Sequence, residues 1–381
     1  MNKSCLIGFL MCSAFSLVVQ AATDGAHITK TISQIERKKG IKRTIQYRPD
    51  GNDFVCVNGK NRYTRALYGG ITDFRIETSD RPVFAAYKPK DSKHICFRLQ
   101  CGNQSIALDS LKFCEARYRA GRRTYRLTDP LLGKGELNIS VLAFPDAEGG
   151  IWRFTMKDMP EGALLHCYIS EIRAKNLSRN GDMGADRADS FDAPQLPKEQ
   201  KHYKLSLDGT TAYIVVEDQE LRLPALVEGT SLYDKSEKWR SEIESSLQIS
   251  TPDPYFNPLG GALAAAADGI WDGKIWLHGA IGWRSQLNGW RAAYIGDFIG
   301  WHDRARTHFD SYAASQVTDV PATIPHPTQD TALHLARSVK KWGTPHYSNG
   351  YICRTPYRKD QMHHYDMNLC YIDELLWHFN W

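Results

Sequence analysis

The hydrophobic periodicity of this chain changes at one place, and that place limits what the chain can fold into. From residue 44 to residue 250 apolar residues come in short, often alternating runs; directly after Thr251-Pro252-Asp253-Pro254-Tyr255-Phe256-Asn257-Pro258 they recur at helical spacing. Three prolines in seven residues deny this segment a continuous helix or strand, because each fixes φ and removes a backbone donor. The expectation is a multidomain protein, β then α. An antiparallel β-sandwich domain covers residues 22–250, a linker 251–258, and a helical domain 259–381.

Within the first part the strand signals repeat. Asp53 to Val57 and Tyr63 to Tyr68 flank Asn58-Gly59, His94 to Gln100 and Ser105 to Leu111 flank Gly102-Asn103, and Tyr203 to Leu207 and Thr211 to Val216 flank Asp208-Gly209. Each reads as strand, hairpin turn and strand. Leu137 to Phe144, Ile151 to Met156 and Ala163 to Arg173 add three more, for about ten strands with no amphipathic crossover helices between them. An antiparallel sandwich fits this pattern better than a parallel sheet. The polar stretch from Lys175 to Lys201 is expected to be an exposed loop.

Beyond the junction, Asn257 is placed to cap a helix with Pro258 in its first turn, and Leu259, Ala262, Leu263, Ala266 and Ile270 follow at its spacing. Further helices are expected from Trp290 to about Ala314, from Thr328 to Trp342, and from about Gln361 to Trp381. The last carries an apolar stripe of Tyr365, Leu369, Ile372, Leu376 and Phe379 that is still running at Trp381.

Several function classes are disfavoured by composition. A net charge of +5 from 48 basic and 43 acidic residues, part of it in Arg37 to Arg43, does not indicate nucleic acid. Residues 1–21 read as a secretory signal, with Lys3, an apolar run from Cys5 to Val19 and a Val19-Gln20-Ala21 cleavage site, so the protein is expected to be exported, periplasmic or extracellular, without a membrane span. Seven cysteines remain after this segment. Only Cys96 and Cys101, at a hairpin tip, are spaced for a disulfide, and buried thiols are the favoured alternative. No CxxC pair, HExxH, GxSxG, P-loop or post-strand GxGxxG occurs, so neither a metal nor a cofactor is indicated.

Nine of the ten tryptophans lie after residue 238, which directs attention to the helical part. There Asn257-Pro258-Leu259, His278-Gly279, Gly289-Trp290-Arg291-Ala292-Ala293-Tyr294-Ile295-Gly296-Asp297, Gly300-Trp301-His302-Asp303-Arg304-Ala305 and His363-His364-Tyr365-Asp366-Met367-Asn368 follow a sandwich. This order and these elements resemble secreted bacterial glycoside hydrolases of the six-hairpin (α/α)6-toroid superfamily. The resemblance covers residues 257–381 and implies a carbohydrate substrate in a central cleft with two carboxyl groups. A toroid has twelve helices, and at ~11 to 12 residues each with short loops it needs well over ~180 residues; 125 follow position 256. The resemblance therefore implies the amino-terminal portion of such an enzyme, with a partial toroid that is poorly active alone and associates through Leu369, Leu376 and Phe379.

The candidate site residues follow from the chemistry of glycosidic cleavage, which needs one carboxylic acid for the leaving oxygen and one carboxylate to activate water or attack. Asp297 lies seven residues after Trp290, within about 20° of it on a helix, with Tyr294 on the same face. Asp366 follows His363-His364-Tyr365 at a helix start. Asp297 and Asp366 are the expected catalytic pair. Trp276, Trp283 and Trp290 are expected to stack on sugar rings, and His278, Arg291, Tyr294 and His364 to bind hydroxyls or acidic groups. Each has a plain structural alternative: tryptophans can fill a helical core, Asp297 can tether a neighbouring helix, and Asp366 can favour a helix N-terminus by charge alone. Asp303-Arg304 reads as a surface ion pair. Two other functions stay open, a non-catalytic glycan-binding protein and a polysaccharide lyase using Tyr294, His364 and Arg291.

Overall fold

The computed structural model describes residues 46–177, 186–279, 293–316 and 365–381, with short pieces between the last two (318, 329–330, 335–336, 350, 352–353, 355–356) and residue 286. The expected signal segment lies outside them.

Two antiparallel sheets make up the first part. The larger orders β1 (Arg48–Asp50), β2 (Asp53–Val57), β8 (Phe113–Arg119), β9 (Arg122–Thr128), β10 (Glu136–Ala143), β11 (Gly149–Lys157), β14 (Thr211–Glu217) and β15 (Glu220–Arg222). The smaller orders β13 (Gln200–Ser206), β12 (Leu164–Glu171), β6 (Lys93–Cys101), β5 (Val83–Tyr87), β4 (Arg75–Thr78) and β3 (Arg65–Tyr68), with β7 (Gln104–Ala107) beside the end of β6. Alternate residues of each strand meet in one core: Ile95, Phe97 and Leu99 from β6 face Leu137, Ile139 and Val141 from β10. Edge-to-face contacts of Phe84 with Trp152 at 5.6 Å and of Phe97 with Phe154 at 5.4 Å join the sheets.

The predicted hairpins at Gly102-Asn103 and Asp208-Gly209 are only half right. β6 pairs with β7, but β13 and β14 lie in different sheets. Nor do the strands flanking Asn58-Gly59 pair: β2 joins β8, and β3 joins β4 in the other sheet. Asn58 explains the departure, since its side chain accepts from the Cys114 backbone N–H at 2.9 Å and its own N–H donates to the Cys114 carbonyl at 2.8 Å, holding the chain to β8 as it crosses over. Cys96 and Cys101 stand five residues apart on one strand and so face opposite sides of the sheet, which removes the possible disulfide. The loop from Lys175 is anchored where it is described: a 3-10 turn at Ala188–Phe191 buries Phe191 against Tyr63 and Tyr87.

A helix that the strand pattern does not predict, α1 (Leu226–Ser245), follows β15 inside the expected sandwich domain. It covers the outer face of β10, β11 and β14, burying Tyr233 among Leu142, Ile151, Tyr213 and Val215. Its inward stripe is Tyr233, Ser236, Arg240 and Ile243, half of it polar, so the hydrophobic period is weak. Glu237 and Glu244 bind Arg240 at 2.7 and 2.8 Å and permit its burial.

Next comes α2 (Leu259–Gly269), one residue later than predicted. Asn257 does not cap it: its Oδ1 accepts from the Thr251 N–H at 2.8 Å and closes the proline-rich junction into a loop. The buried face holds Gly260, Ala264, Ala267 and Asp268, while Leu263 is half-exposed. Small residues face inward because α2 lies close to the end of α1; a Cβ on Gly260 would approach the Leu247 carbonyl oxygen to 2.7 Å.

The single helix expected from Trp290 to Ala314 is, where described, two: α3 (Ala293–Phe298) and α4 (His302–Ala313), parted at Gly300, whose φ of +79° a glycine adopts without strain. Within the expected helix from Thr328, the described residues form two short strands instead, β16 (Gln329–Asp330) against β17 (Leu335–Ala336). The final helix, α5 (Tyr365–Asn380), packs Tyr371 against Phe309 and Tyr312 of α4. Among the described residues no helix is long and apolar enough to cross a membrane.

Candidate functional site

Three helices converge on Asp297. α3 carries it, the start of α4 brings His302, and the last turn of α5 brings His378. The carboxylate is 7 % exposed. Its Oδ1 lies 2.9 Å from Nδ1 of His302 and 2.9 Å from Nδ1 of His378, which is also 3.0 Å from Oδ2. A carboxylate accepts only, so Nδ1 is the donor in each ring. The His302 side chain is 51 % exposed and meets solvent; that of His378 is mostly covered, with Phe309 at 5.2 Å between ring centres.

The floor beneath α3 is Trp276. A Cβ on Gly296 would stand 2.3 Å from Cη2 of this indole, so only glycine lets α3 lie against it. Trp276 is 1 % exposed, its indole N–H donates to the Ala267 carbonyl at 3.1 Å, and Trp271 covers it at 4.8 Å between ring centres. Expected to stack on a sugar, Trp276 is here a core residue with its one side-chain donor satisfied within the protein. Its backbone N–H donates to Nδ1 of His308 at 3.1 Å, and burial pushes the His308 imidazole down to about 3, which keeps it neutral.

A second polar group stands nearby. Arg304 Nη1 donates to Oδ1 of Asp268 at 2.7 Å and lies over Trp301 at 4.3 Å and Trp271 at 5.7 Å. Burial raises the Asp268 carboxyl, against the pull of Arg304. Arg304 is thus paired with α2 and not with Asp303, because adjacent helical residues point about 100° apart. Asp303 itself is exposed.

Of the other expected residues, His278 is half-buried beyond Leu277. Tyr294 and Asp366 belong to α3 and α5, and nothing is described of their side chains. Trp283, Trp290, Arg291 and His364 lie outside the described residues. The structure therefore brings Asp297 together with His302 and His378, neither of which the sequence singles out as a site residue. His302 had a signal, five residues from Asp297 in an aromatic segment; His378, 81 residues away, had none. No group of three or more His, Cys, Asp or Glu side chains among the described residues is placed to hold a metal ion.

Residues 89–216 match the model of DUF4450, a domain of unknown function. The match covers a third of the chain and runs from the turn before β6 to the end of β14, entirely within the two sheets. No curated protein matches the chain.

Proposed function

We propose that the protein is a carbohydrate-active enzyme of the glycoside hydrolase type, or a part of one, acting on an oligosaccharide or polysaccharide. The observation that carries this reading is the buried Asp297 carboxylate held between two imidazoles at the edge of a tryptophan-rich helical core. Carboxylate and imidazole together can hold and pass a proton, which is what protonation of a leaving oxygen and activation of water require. In this reading His302 carries the proton at the solvent side, Asp297 orients it and offsets its charge, and Asp366 is the second carboxylate. Protein export and a glycan as partner belong to the same proposal.

A second reading, a polysaccharide lyase, is favoured by one feature: the partners of Asp297 are histidines, and a carboxylate-oriented imidazole is a suitable base for removing a carbon-bound proton next to a uronate carboxylate. The two are separated by their products. The protein is incubated with neutral and uronate-containing oligosaccharides; hydrolysis releases reducing ends without new ultraviolet absorbance, whereas elimination leaves an unsaturated uronate that absorbs. Asp297→Asn should abolish whichever product forms.

A further inference from the structure

The outer face of the smaller sheet carries two adjacent cross-strand rows of different chemistry. One row is His202, Tyr168 and Cys96, set side by side by the register of β13, β12 and β6. The next is Lys204, His166 and Arg98. In the first row the rings of Tyr168 and His202 stack at 4.6 Å, only 5° from parallel, so that His202 backs one face of the Tyr168 ring. In the second, His166 is 7 % exposed and fixed on both nitrogens, Nδ1 2.7 Å from Nε2 of His202 and Nε2 2.6 Å from Oε1 of Gln100. Burial lowers its pKa, and His202, Lys204 and Arg98 lower it further, so the Lys204 and Arg98 cations flank a single ring.

Among the described residues no carboxylate forms an ion pair with Arg98 or Lys204, and the nearby Asp109 is taken up by Arg62. Arg98 donates to the hydroxyl and carbonyl oxygens of Ser105, both at 3.3 Å. Arg62, by contrast, is held by Asp109 at 3.2 Å and Asp192 at 3.3 Å. Beside Arg98 and Tyr168 the face sinks into a recess of about 380 Å³ with Val83, Cys96 and Ala107 in its lining and His94, Arg62 and Asp109 at its polar side, Asp109 being paired with Arg62 at 3.2 Å. Like charges assembled around a buried, fully hydrogen-bonded imidazole are stabilised by an anion, and the Tyr168 ring that lines the recess takes the C–H face of a sugar ring.

We propose that this face binds an acidic sugar unit of a polysaccharide, with the uronate carboxylate on Arg98 and Lys204 and the sugar ring against Tyr168, which His202 backs. The choice of a sugar as the anion rests on the glycan reading above, but the site lies on a different element from Asp297 and needs no turnover. Arg98, Tyr168, His202 and Lys204 all fall within the segment matched by the DUF4450 model.

Isothermal titration of the full chain with tetragalacturonate tests the assignment, with maltotetraose as the neutral match and tetra-aspartate as an anion lacking sugar rings. The expected result is binding of tetragalacturonate alone, weakened about tenfold or more by Arg98→Ala and by Tyr168→Ala, and weakened by added salt. The exposed Lys204→Ala gives the same direction without risk to the fold. Failure of tetragalacturonate to bind, binding unchanged by all three substitutions, or equal binding of tetra-aspartate would overturn the assignment. Loss of turnover in Asp297→Asn with titration unchanged keeps the two proposals apart.

Discussion

Nδ1 of His378 lies 2.9 Å from Oδ1 of Asp297, across 81 residues of chain, and this one pair joins the last turn of α5 to the short helix α3. The bond is to a carboxylate that is 7 % exposed, where a lost partner is not replaced freely by water.

His378→Ala is therefore expected to destabilise the helical part by roughly 1 to 3 kcal/mol, the range for leaving a buried charged acceptor short of a donor. Thermal unfolding followed by tryptophan fluorescence reads this directly, since nine of the ten tryptophans lie after residue 238. An unchanged midpoint would mean that α5 is held by its other contacts, those of Tyr371 with Phe309 and Tyr312 and of Asn368 with the Ile352 backbone.

Gly296→Ala should be damaging out of proportion to one methyl group. The added carbon would lie 2.3 Å from Cη2 of Trp276, a buried ring fixed by the Ala267 carbonyl, so either α3 or the indole must move. Overpacking of this kind costs about 1 to 3 kcal/mol. A lower unfolding midpoint with a shifted emission maximum is the expected outcome; wild-type stability would show that α3 has room to slide.

Acid sensitivity should centre on His308. Its folded-state pKa is pushed down to about 3 by burial, below the usual ~6.5 of the unfolded chain, so the unfolded state binds the proton first. Stability from this residue is present above about pH 6.5 and is lost as pH falls towards 3, by up to about 1.4 kcal/mol per pH unit. His308→Asn keeps an acceptor for the Trp276 N–H and removes the titration, so its midpoint should vary less with pH over this window. An identical pH profile in the variant would refute the assignment.

Association should run through α5. Leu369, Ile372, Leu376 and Phe379 are 69 %, 54 %, 58 % and 84 % exposed, and Phe298 of α3 is 60 % exposed with Trp381 at 5.0 Å between ring centres. Contiguous apolar surface of this kind drives self-association. Light scattering after size exclusion should give a mass that rises with concentration, and Leu376→Lys with Phe379→Ser should return it to that of a monomer. A monomer in the unsubstituted chain at every concentration would contradict this.

Strands β6, β10 and β11 are legible in the sequence because Ile95, Phe97, Leu99, Leu137, Ile139 and Val141 alternate into one core, and a period of two survives averaging over neighbours, whereas β8 and β9, rich in arginine, are not read as strands. Strand partners are less so. Tyr203 to Leu207 and Thr211 to Val216 read as a hairpin, yet their order in space is decided by which sheet each apolar face can bury against. Helix α1 is hidden because Arg240 enters its inward stripe with two glutamates supplied by the same helix, so burial there does not require apolar residues. In the site, Asp297 stands out by its aromatic surroundings, whereas Trp276 is drawn into the core by packing with Gly296 and Ala267 that no local spacing records. Tertiary convergence alone selects His378 as its partner.

Asp297→Asn is the most direct test of the proposed chemistry. The amide keeps the shape and can still accept from one imidazole, but it cannot carry the charge or exchange a proton. Turnover of an oligosaccharide substrate and the thermal midpoint are measured on the same sample. Loss of turnover by about a hundredfold or more with the fold retained is the predicted result; equal turnover, or unfolding with no separable loss of activity, would make Asp297 a tether between α3, α4 and α5 and nothing more.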